Sequence, residues 1–334
     1  MAYRICIIPG DGIGPEVISA AVEVLEAFKL DLRFAEAEAG WETFQKRSRS
    51  VPEETLQKIG ESDATLFGAV SSPLQRVEGY RSAIITMRQA FDLYANVRPV
   101  KSLPISISRQ GIDLVIYREN TEDLYIGKEI ELDNGDTTEA VRRITRRGCE
   151  RILRAAFQAA RKRKRKLTYV HKANVLPITD GLFKRVALEL AQQFPDIEVN
   201  EMLVDTMAMR LIREPENFDV IVTTNLFGDI LSDEASELVG GLGIVASANI
   251  GDTIAIFEPV HGSAPDIAGR GVANPVAAIL SASMMLDYLG YSRESERLYS
   301  SICDTLASGA LTSDLGGDAT TKELVREIIE RLIS

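Results

Sequence analysis

Val220-Ile221-Val222-Thr223-Thr224-Asn225-Leu226-Phe227-Gly228-Asp229-Ile230-Leu231-Ser232-Asp233-Glu234-Ala235-Ser236 decides how this chain is read. Its first five residues form a short apolar run of the kind that becomes a buried strand. A helix is expected to begin near Gly228 and Asp229. Asp229 and Asp233 are four apart, so one helical face presents both carboxylates at the end of the strand. Like charges that close repel unless a cation lies between them. A hard divalent ion with oxygen ligands would do so, leaving positions for water and substrate. The plain alternative is that these acids cap the helix start and favour its dipole.

The same strand-then-helix pattern recurs along the chain. Strand-like runs cover 3–8, 64–70, 112–117, 167–171 and 219–223. Helix-like runs cover 15–28, 53–60, 82–92, 138–162, 179–193, 229–239, 274–289, 293–307 and 320–333. The alternation predicts an α/β architecture with a largely parallel sheet. Segments 99–111 and 240–253, with their Pro, Gly, Ser and Asn, are candidate crossovers between domains. Residues 127–137 read as an excursion with a turn at Asn134-Gly135, so a protruding β-arm is expected there.

At 334 residues the chain can bury a large core and suggests about two domains. With 45% hydrophobic and 26% charged residues it has an ordinary globular composition. No apolar run approaches the ~20 residues of a membrane span. The N-terminus enters a strand without a signal-like segment, so a cytoplasmic location is expected. Cys6, Cys149 and Cys303 are scattered and read as unpaired thiols. Only His171 and His261 are present, which argues against a histidine-built zinc site. The net charge of −11 opposes general nucleic-acid binding. The basic run Arg161-Lys162-Arg163-Lys164-Arg165-Lys166 reads as a solvated helix end, where cations suit the dipole.

Four further groups could carry chemistry. Pro9-Gly10-Asp11-Gly12-Ile13-Gly14-Pro15-Glu16 is a tight strand-to-helix turn, but its glycine spacing is not the dinucleotide fingerprint. Arg88, Arg98 and Arg118 lie on a helix and at two strand ends, and their forks suit a polyanionic substrate. Tyr125 and Lys172 form a workable acid/base pair, if burial and charge lower the lysine's pKa. The loop Glu258-Pro259-Val260-His261-Gly262-Ser263-Ala264-Pro265-Asp266-Ile267-Ala268-Gly269 is polar and Gly/Pro-rich, as functional loops often are.

The ordered motifs GDGIGPEV, DLYANVRP, RENTEDLY, HKANV, NLFGDILSDEAS, GSANIGD, FEPVHGSAPDIAG and NP resemble those of the β-decarboxylating dehydrogenases. This is the isocitrate/isopropylmalate dehydrogenase family, and the resemblance runs nearly end to end. It implies an α/β, isopropylmalate dehydrogenase-like fold distinct from Rossmann. That fold has two α/β domains with mixed parallel and antiparallel sheets and an active-site cleft between them. The large, cofactor-side domain would be 1–98 plus 243–334. The small domain, 99–242, would dimerise and carry the arm. A homodimer with shared active sites is implied, with a tetramer as the larger alternative.

By the same resemblance, Ser82, Ile85, Arg88, Arg98, Arg118, Tyr125, Lys172 and Asn174 would bind substrate. Asp229 and Asp233 would bind Mg²⁺ or Mn²⁺, completed by Asp205 from a partner subunit. Tyr125, Lys172 and Asp205 would be catalytic, with Lys172 also contributed by the partner subunit. Ile13, His261, Gly262, Ala264, Asp266, Ile267 and Asn274 would hold the cofactor. Asp266-Ile267 matches NAD-using members, and the anionic Asp266 would repel a 2′-phosphate, so NAD is expected. In the family's reaction, hydride leaves the carbinol carbon while Lys172 removes the hydroxyl proton. The metal then stabilises the enolate formed on decarboxylation, and Tyr125 helps protonate its carbon.

Substrate choice rests on Tyr80-Arg81-Ser82-Ala83-Ile84-Ile85-Thr86-Met87-Arg88. Ser82 resembles the isocitrate pattern, whereas apolar Ile84 and Ile85 keep 3-isopropylmalate in play. A serine followed by apolar residues most resembles homoisocitrate dehydrogenases, although some bacterial ones carry arginine where Ile85 stands. Homoisocitrate is therefore the expected substrate, through to 2-oxoadipate, with isocitrate as a second. That substrate ties the expectation to lysine biosynthesis. Isopropylmalate, of leucine biosynthesis, is the runner-up, and a non-catalytic regulatory subunit is the alternative of another class. Ser82 could also be a helix N-cap.

Overall fold

The computed structural model describes residues 2–333 apart from 74 and 76. The end positions 1 and 334 of the expected large domain lie outside the described residues. Two compact units emerge: residues 1–91, 103–110 and 239–334, and residues 92–102 and 111–238. The changeovers fall after Phe91 and Leu238 rather than at 98 and 242, and 103–110 returns to the first unit. The reason is local: the strand carrying Arg98 belongs wholly to the second unit's sheet, and the helix after Thr224 runs to Glu237.

The first unit holds β1 (Tyr3–Gly10), α1 (Gly14–Ala27), β2 (Leu32–Glu36), α2 (Trp41–Arg47), α3 (Glu53–Gly60), β3 (Ala64–Ala69) and α4 (Ala83–Ala90). In the second unit lie β4 (Ala95–Lys101), β5 (Asp113–Glu119), β6 (Glu129–Leu132), β7 (Thr137–Ala140), α5 (Arg146–Lys162) and β8 (Lys166–His171). They are followed by α6 (Thr179–Ala191), β9 (Glu198–Leu203), α7 (Val204–Arg213), β10 (Val220–Thr223) and α8 (Asn225–Glu237). The first unit resumes with β11 (Ala246–Ile250), β12 (Ala255–Pro259), α9 (Val276–Tyr288), α10 (Ser292–Ala307) and α11 (Thr321–Ile333).

In the first unit the strand order is β2-β1-β3-β12-β11. The first four strands run parallel and β11 pairs antiparallel with β12. β1 is a near-continuous apolar run with Ile5, Cys6 and Ile8 fully buried, as a strand covered on both faces requires. α9 is apolar on almost every side and sits at the centre of this unit's helices, against α1 and α10.

The second unit orders its strands β4-β5-β10-β8-β9. Here too one strand, β4, is antiparallel, and the rest are parallel. The fold is thus the mixed α/β architecture expected. β10 is buried at all four positions. α5 is amphipathic: Cys149, Ile152, Leu153, Ala156, Phe157 and Ala160 recur at helical spacing on its buried face, and the Thr145 hydroxyl caps its start by accepting from Gly148 N–H.

The helix expected over 138–162 begins only at Arg146. Residues 137–140 form β7 instead, paired antiparallel with β6. Both strands are exposed at every position, so they carry no one-sided apolar pattern. Asp133, Asn134 and Gly135 all have positive φ, which permits the tight reversal between them. No helix among the described residues is long and apolar enough to cross a membrane. The basic run is absorbed by ion pairs: Arg161 with Asp196, and Arg163 with Asp113 and the buried Asp219.

Candidate active site

Within the second unit, β4 and β5 lie antiparallel with Asn96 opposite Arg118. α8 follows β10 directly, with Thr224 as its N-cap. The helix therefore starts at Asn225, not near Gly228, and Asp229 and Asp233 lie beyond its first turn. That placement removes the helix-capping explanation for the two acids.

Gly228 explains how the arginine reaches them. A Cβ there would lie 2.6–2.7 Å from the side chain of Arg118, so only glycine lets that side chain run against the helix. Arg118 is 2% exposed. Its Nε donates to the backbone and side-chain oxygens of Asn225, both at 3.0 Å, and Nη2 donates to Asn225 Oδ1 at 2.8 Å. Its remaining Nη1 donates to Asp229. Arg98 Nε donates to Asn96 Oδ1 at 2.8 Å. Arg98 Nη1 reaches Ser232 Oγ and Asp233 Oδ1, each at 2.7 Å, and Nη2 lies 3.3 Å from Asp229 Oδ1.

The Tyr125 hydroxyl donates to Asp229, and the Arg118 guanidinium lies 5.0 Å from the Tyr125 ring centroid. Burial, reinforced by that hydrogen bond, pushes the Tyr125 phenol above its ordinary value. Burial also raises Asp233, against the pull of Arg98. Thus Arg98, Arg118, Tyr125, Asp229 and Asp233 are brought together. Asn96, Asn225 and Ser232, which orient the arginines, were not singled out in the sequence. Their signal was position: Asn96 two residues before Arg98 on the same strand face, and Asn225 and Ser232 in the helix that bears the acids.

Lys172 and Asp205 form a separate pair, Nζ to Oδ1 at 2.5 Å, at the ends of β8 and the start of α7. Lys172 holds the Asp205 carboxyl below its usual range. Asp205 is 62% exposed, and Lys172 lies at the partly buried end of the pair. Asn174, just beyond β8, is exposed. Among the described residues no group of three or more His, Cys, Asp or Glu is placed to hold a metal.

The first unit holds the remaining residues. Arg88 is buried, with Nε 3.0 Å from Asn249 Oδ1 and Nη2 3.3 Å from Glu258. Asn249 Nδ2 donates to the same Glu258 at 2.7 Å, so a buried amide and acid fix the Arg88 fork. Ser82 is at the N-cap position of α4, yet its hydroxyl makes no capping bond. Ile85 lies half-buried one turn before Arg88.

The glycine turn after β1 packs against the polar loop after β12. Ile13 N–H donates to Ser263 O at 2.8 Å, and a Cβ on Gly12 would sit 2.0 Å from that oxygen. Two motifs some 250 positions apart thereby form one surface. Ala264 has a φ of 36°, and Gly262 and Asp266 are exposed with Ile267 half-buried beside them. The His261 Nδ1 faces Gly262 O at 3.0 Å, which makes it the donor and leaves Nε2 a buried acceptor without a hydrogen-bond partner. Burial lowers this imidazole's pKa, keeping it neutral. Asn274 Oδ1 accepts from Val276 N–H at the start of α9, and its amide donates to Asp314.

Comparison with known proteins agrees with this constellation. The family model for isocitrate/isopropylmalate dehydrogenase matches residues 4–328. The isocitrate/homoisocitrate dehydrogenase of Thermus thermophilus is 57% identical, with all of both chains covered. The 3-isopropylmalate/3-methylmalate dehydrogenase of Methanocaldococcus jannaschii is 48% identical over 99% of each chain. A crystal structure of isocitrate dehydrogenase from Methylococcus capsulatus superposes with a TM-score of 0.95 at 42% identity, covering 99% of this chain and 100% of that one. This chain belongs to the isocitrate/isopropylmalate dehydrogenase family.

Proposed function

We propose that this protein is an NAD-dependent, metal-requiring dehydrogenase that oxidises and decarboxylates a 2-hydroxy polycarboxylate. The substrate it fits best is homoisocitrate, converted to 2-oxoadipate, with isocitrate as a second. One observation carries the reading. Two buried arginine forks converge with a neutral phenol on a pair of carboxylates one helical turn apart.

Arg98 and Arg118 take carboxylates of the common malate portion. Asp229 and Asp233 offer hard oxygens, about a third and half exposed, which fit Mg²⁺ or Mn²⁺. Two ligands from one chain leave room for Asp205 of a second copy, whose exposure suits that role. When bound, the cation supplies positive charge for the developing enolate, and the nicotinamide accepts the hydride. Lys172 Nζ, arriving with Asp205 from the second copy, takes the hydroxyl proton, directly or through a relay. Tyr125, kept protonated by burial and by Asp229, holds the proton returned to carbon.

On the cofactor side, the exposed Asp266 carboxylate accepts bonds from ribose hydroxyls and disfavours a 2′-phosphate. The unpartnered Nε2 of His261 supplies an acceptor in the same loop. Val175, Ile178, Met209, Ile212 and Ile230 are exposed apolar residues of the second unit, and we assign them to a homodimer contact. Light scattering of the purified chain tests that assignment, and a monomer at micromolar concentration would refute it.

Ser82 supports a substrate with a distal carboxylate, because its hydroxyl is not engaged in capping α4. Ile84 and Ile85 favour 3-isopropylmalate as the second reading. Steady-state kcat/KM for homoisocitrate, isocitrate, 3-isopropylmalate and D-malate, with NAD⁺ and Mg²⁺, separates them. A preference for isopropylmalate of about tenfold, roughly 1.4 kcal/mol of transition-state binding, would overturn the role given to Ser82. No NADH from any of the four would point instead to a regulatory subunit.

A further inference from the structure

Between β7 and α5, Arg142 sits in a cluster that the reaction scheme above does not use. Its Nε donates to Asp123 Oδ1 at 2.5 Å, and Nη1 donates to Asp180. Its Nη2 donates to Thr224 Oγ1 at 2.8 Å and lies 3.3 Å from Asp123 Oδ2. Both aspartates are completely buried. The guanidinium also lies 4.8 Å from the Phe227 ring centroid. A buried ion triad recovers its desolvation cost only with good geometry, so such a cluster is weak evidence for stability alone.

What the two aspartates hold gives the cluster its meaning. Asp123 Oδ2 accepts from Leu226 N–H at 3.1 Å, in the first turn of α8, the helix that bears Asp229 and Asp233. Asp123 Oδ1 accepts from Leu124 N–H at 2.9 Å, one residue before Tyr125. Asp180 Oδ2 accepts from the backbone N–H of Lys172 at 2.6 Å. One guanidinium thus ties together the main chain beside Tyr125, beside Lys172 and beneath the acid pair.

Asp123 itself is strained. Its φ of 70° and ψ of −145° lie close to a region that only glycine occupies freely. Strain of this kind persists only where surrounding contacts fix it. Here the contacts are the Arg142 fork and the bridge between Asp123 and Arg143 backbones.

We propose that Arg142, acting through Asp123 and Asp180, is a positioning residue that sets Tyr125 and Lys172 for proton transfer. This rests on the functional reading above. Neither Arg98 nor Arg118 is among the residues Arg142 holds, so the grip of these two arginines on the substrate is separable from its role.

Arg142→Lys keeps the charge but cannot fork to Asp123, Asp180 and Thr224 together. Expected is a fall in kcat of about 10- to 100-fold, the scale of a misplaced proton donor, with KM within about threefold. Thermal melts accompany the kinetics. Asp123→Gly, which removes both the strain and the carboxylate, closes a double-mutant cycle. In that background Arg142→Lys is expected to cost less than half as much in log kcat, because the two act as one unit. Wild-type turnover with Arg142→Lys unchanged in kcat within twofold, whatever its melting temperature, would overturn the inference. So would additive losses in the cycle, or a loss confined to KM. A wild-type chain that forms no NADH with any of the four acids overturns the functional reading itself, and this inference with it.

Discussion

Asp229→Asn probes the centre of the site. Asp229 accepts from Arg118, Arg98 and Tyr125 at once. The Arg98 pair at 3.3 Å corresponds to a gross attraction of about 5 kcal/mol at an effective dielectric near 20. Most of that does not reach the folding equilibrium. The Asp229 side chain is 32% exposed, the amide still accepts from Arg118, and the repulsion by Asp233 disappears. Asn225 continues to hold two of the Arg118 nitrogens. A net loss of about 1–3 kcal/mol in folding remains, lowering Tm by roughly 2–4 °C per kcal/mol. Catalysis loses more. Removing one preorganised electrostatic group costs about 10²–10³ in kcat, and on the proposed reading a metal ligand is lost as well. The assay pairs kcat/KM with homoisocitrate, a Tm without added metal, and a calorimetric Mn²⁺ titration. Turnover within about tenfold of wild type, together with a Tm drop beyond roughly 12 °C, would refute the reasoning and make Asp229 a structural counter-ion.

Replacing Asp266 with Lys and Ile267 with Tyr should move preference toward NADP⁺; unchanged selectivity in kcat/KM for the two nucleotides counts against the assigned cofactor loop. Ser82→Ala should lower kcat/KM for homoisocitrate and isocitrate by about tenfold while leaving isopropylmalate unaffected, the loss of one hydrogen bond to a charged group. Since the Ser82 hydroxyl does not cap α4, the melting temperature should hold; a fall typical of a lost cap would show otherwise. Tyr125→Phe should cut kcat by about 10²–10⁴. Its phenol is raised above 10.0, so any stability it contributes is fully present below that pH and lost as pH rises through the higher folded value. Urea melts of wild type and Tyr125→Phe should therefore differ by a constant amount up to pH 10.0 and converge above it.

The strands legible in the sequence were β1, β3, β5, β8 and β10, each with a mostly apolar, buried centre. β11 and β12 are as deeply buried but sit in segments rich in Gly, Asn, Ser and Pro, which read as loops. β9, Glu198–Leu203, escaped because it is an edge strand in which only Met202 is buried. α7 starts at the next residue, Val204, with no loop residues to mark the junction. The start of α8 was misplaced by three or four residues because Gly228 looks like a breaker. Its purpose is tertiary: it makes room for Arg118, a contact the helix's own sequence cannot announce.

The site divides in the same way. Arg98, Arg118, Asp229 and Asp233 were visible because each charge interrupts a strand-like run or repeats along a helix, although Arg98 lies midway along β4 and not at a strand end. Their arrangement was not, because it depends on neutral partners such as Asn96, Asn225 and Ser232 that orient the forks. With those partners known, the charges can be counted as pairs. Arg98 and Arg118 face Asp229 and Asp233, two cations against two anions. A polycarboxylate arriving with a divalent cation offers the same charges in exchange, its carboxylates to the arginines and its metal to the aspartates. No charge need be left buried and unpaired at any stage, which would otherwise cost several kcal/mol per ion. On the proposed reading the acid pair is therefore more than a place for a metal. With the two arginines it forms a balanced set, poised to swap internal partners for those of the substrate.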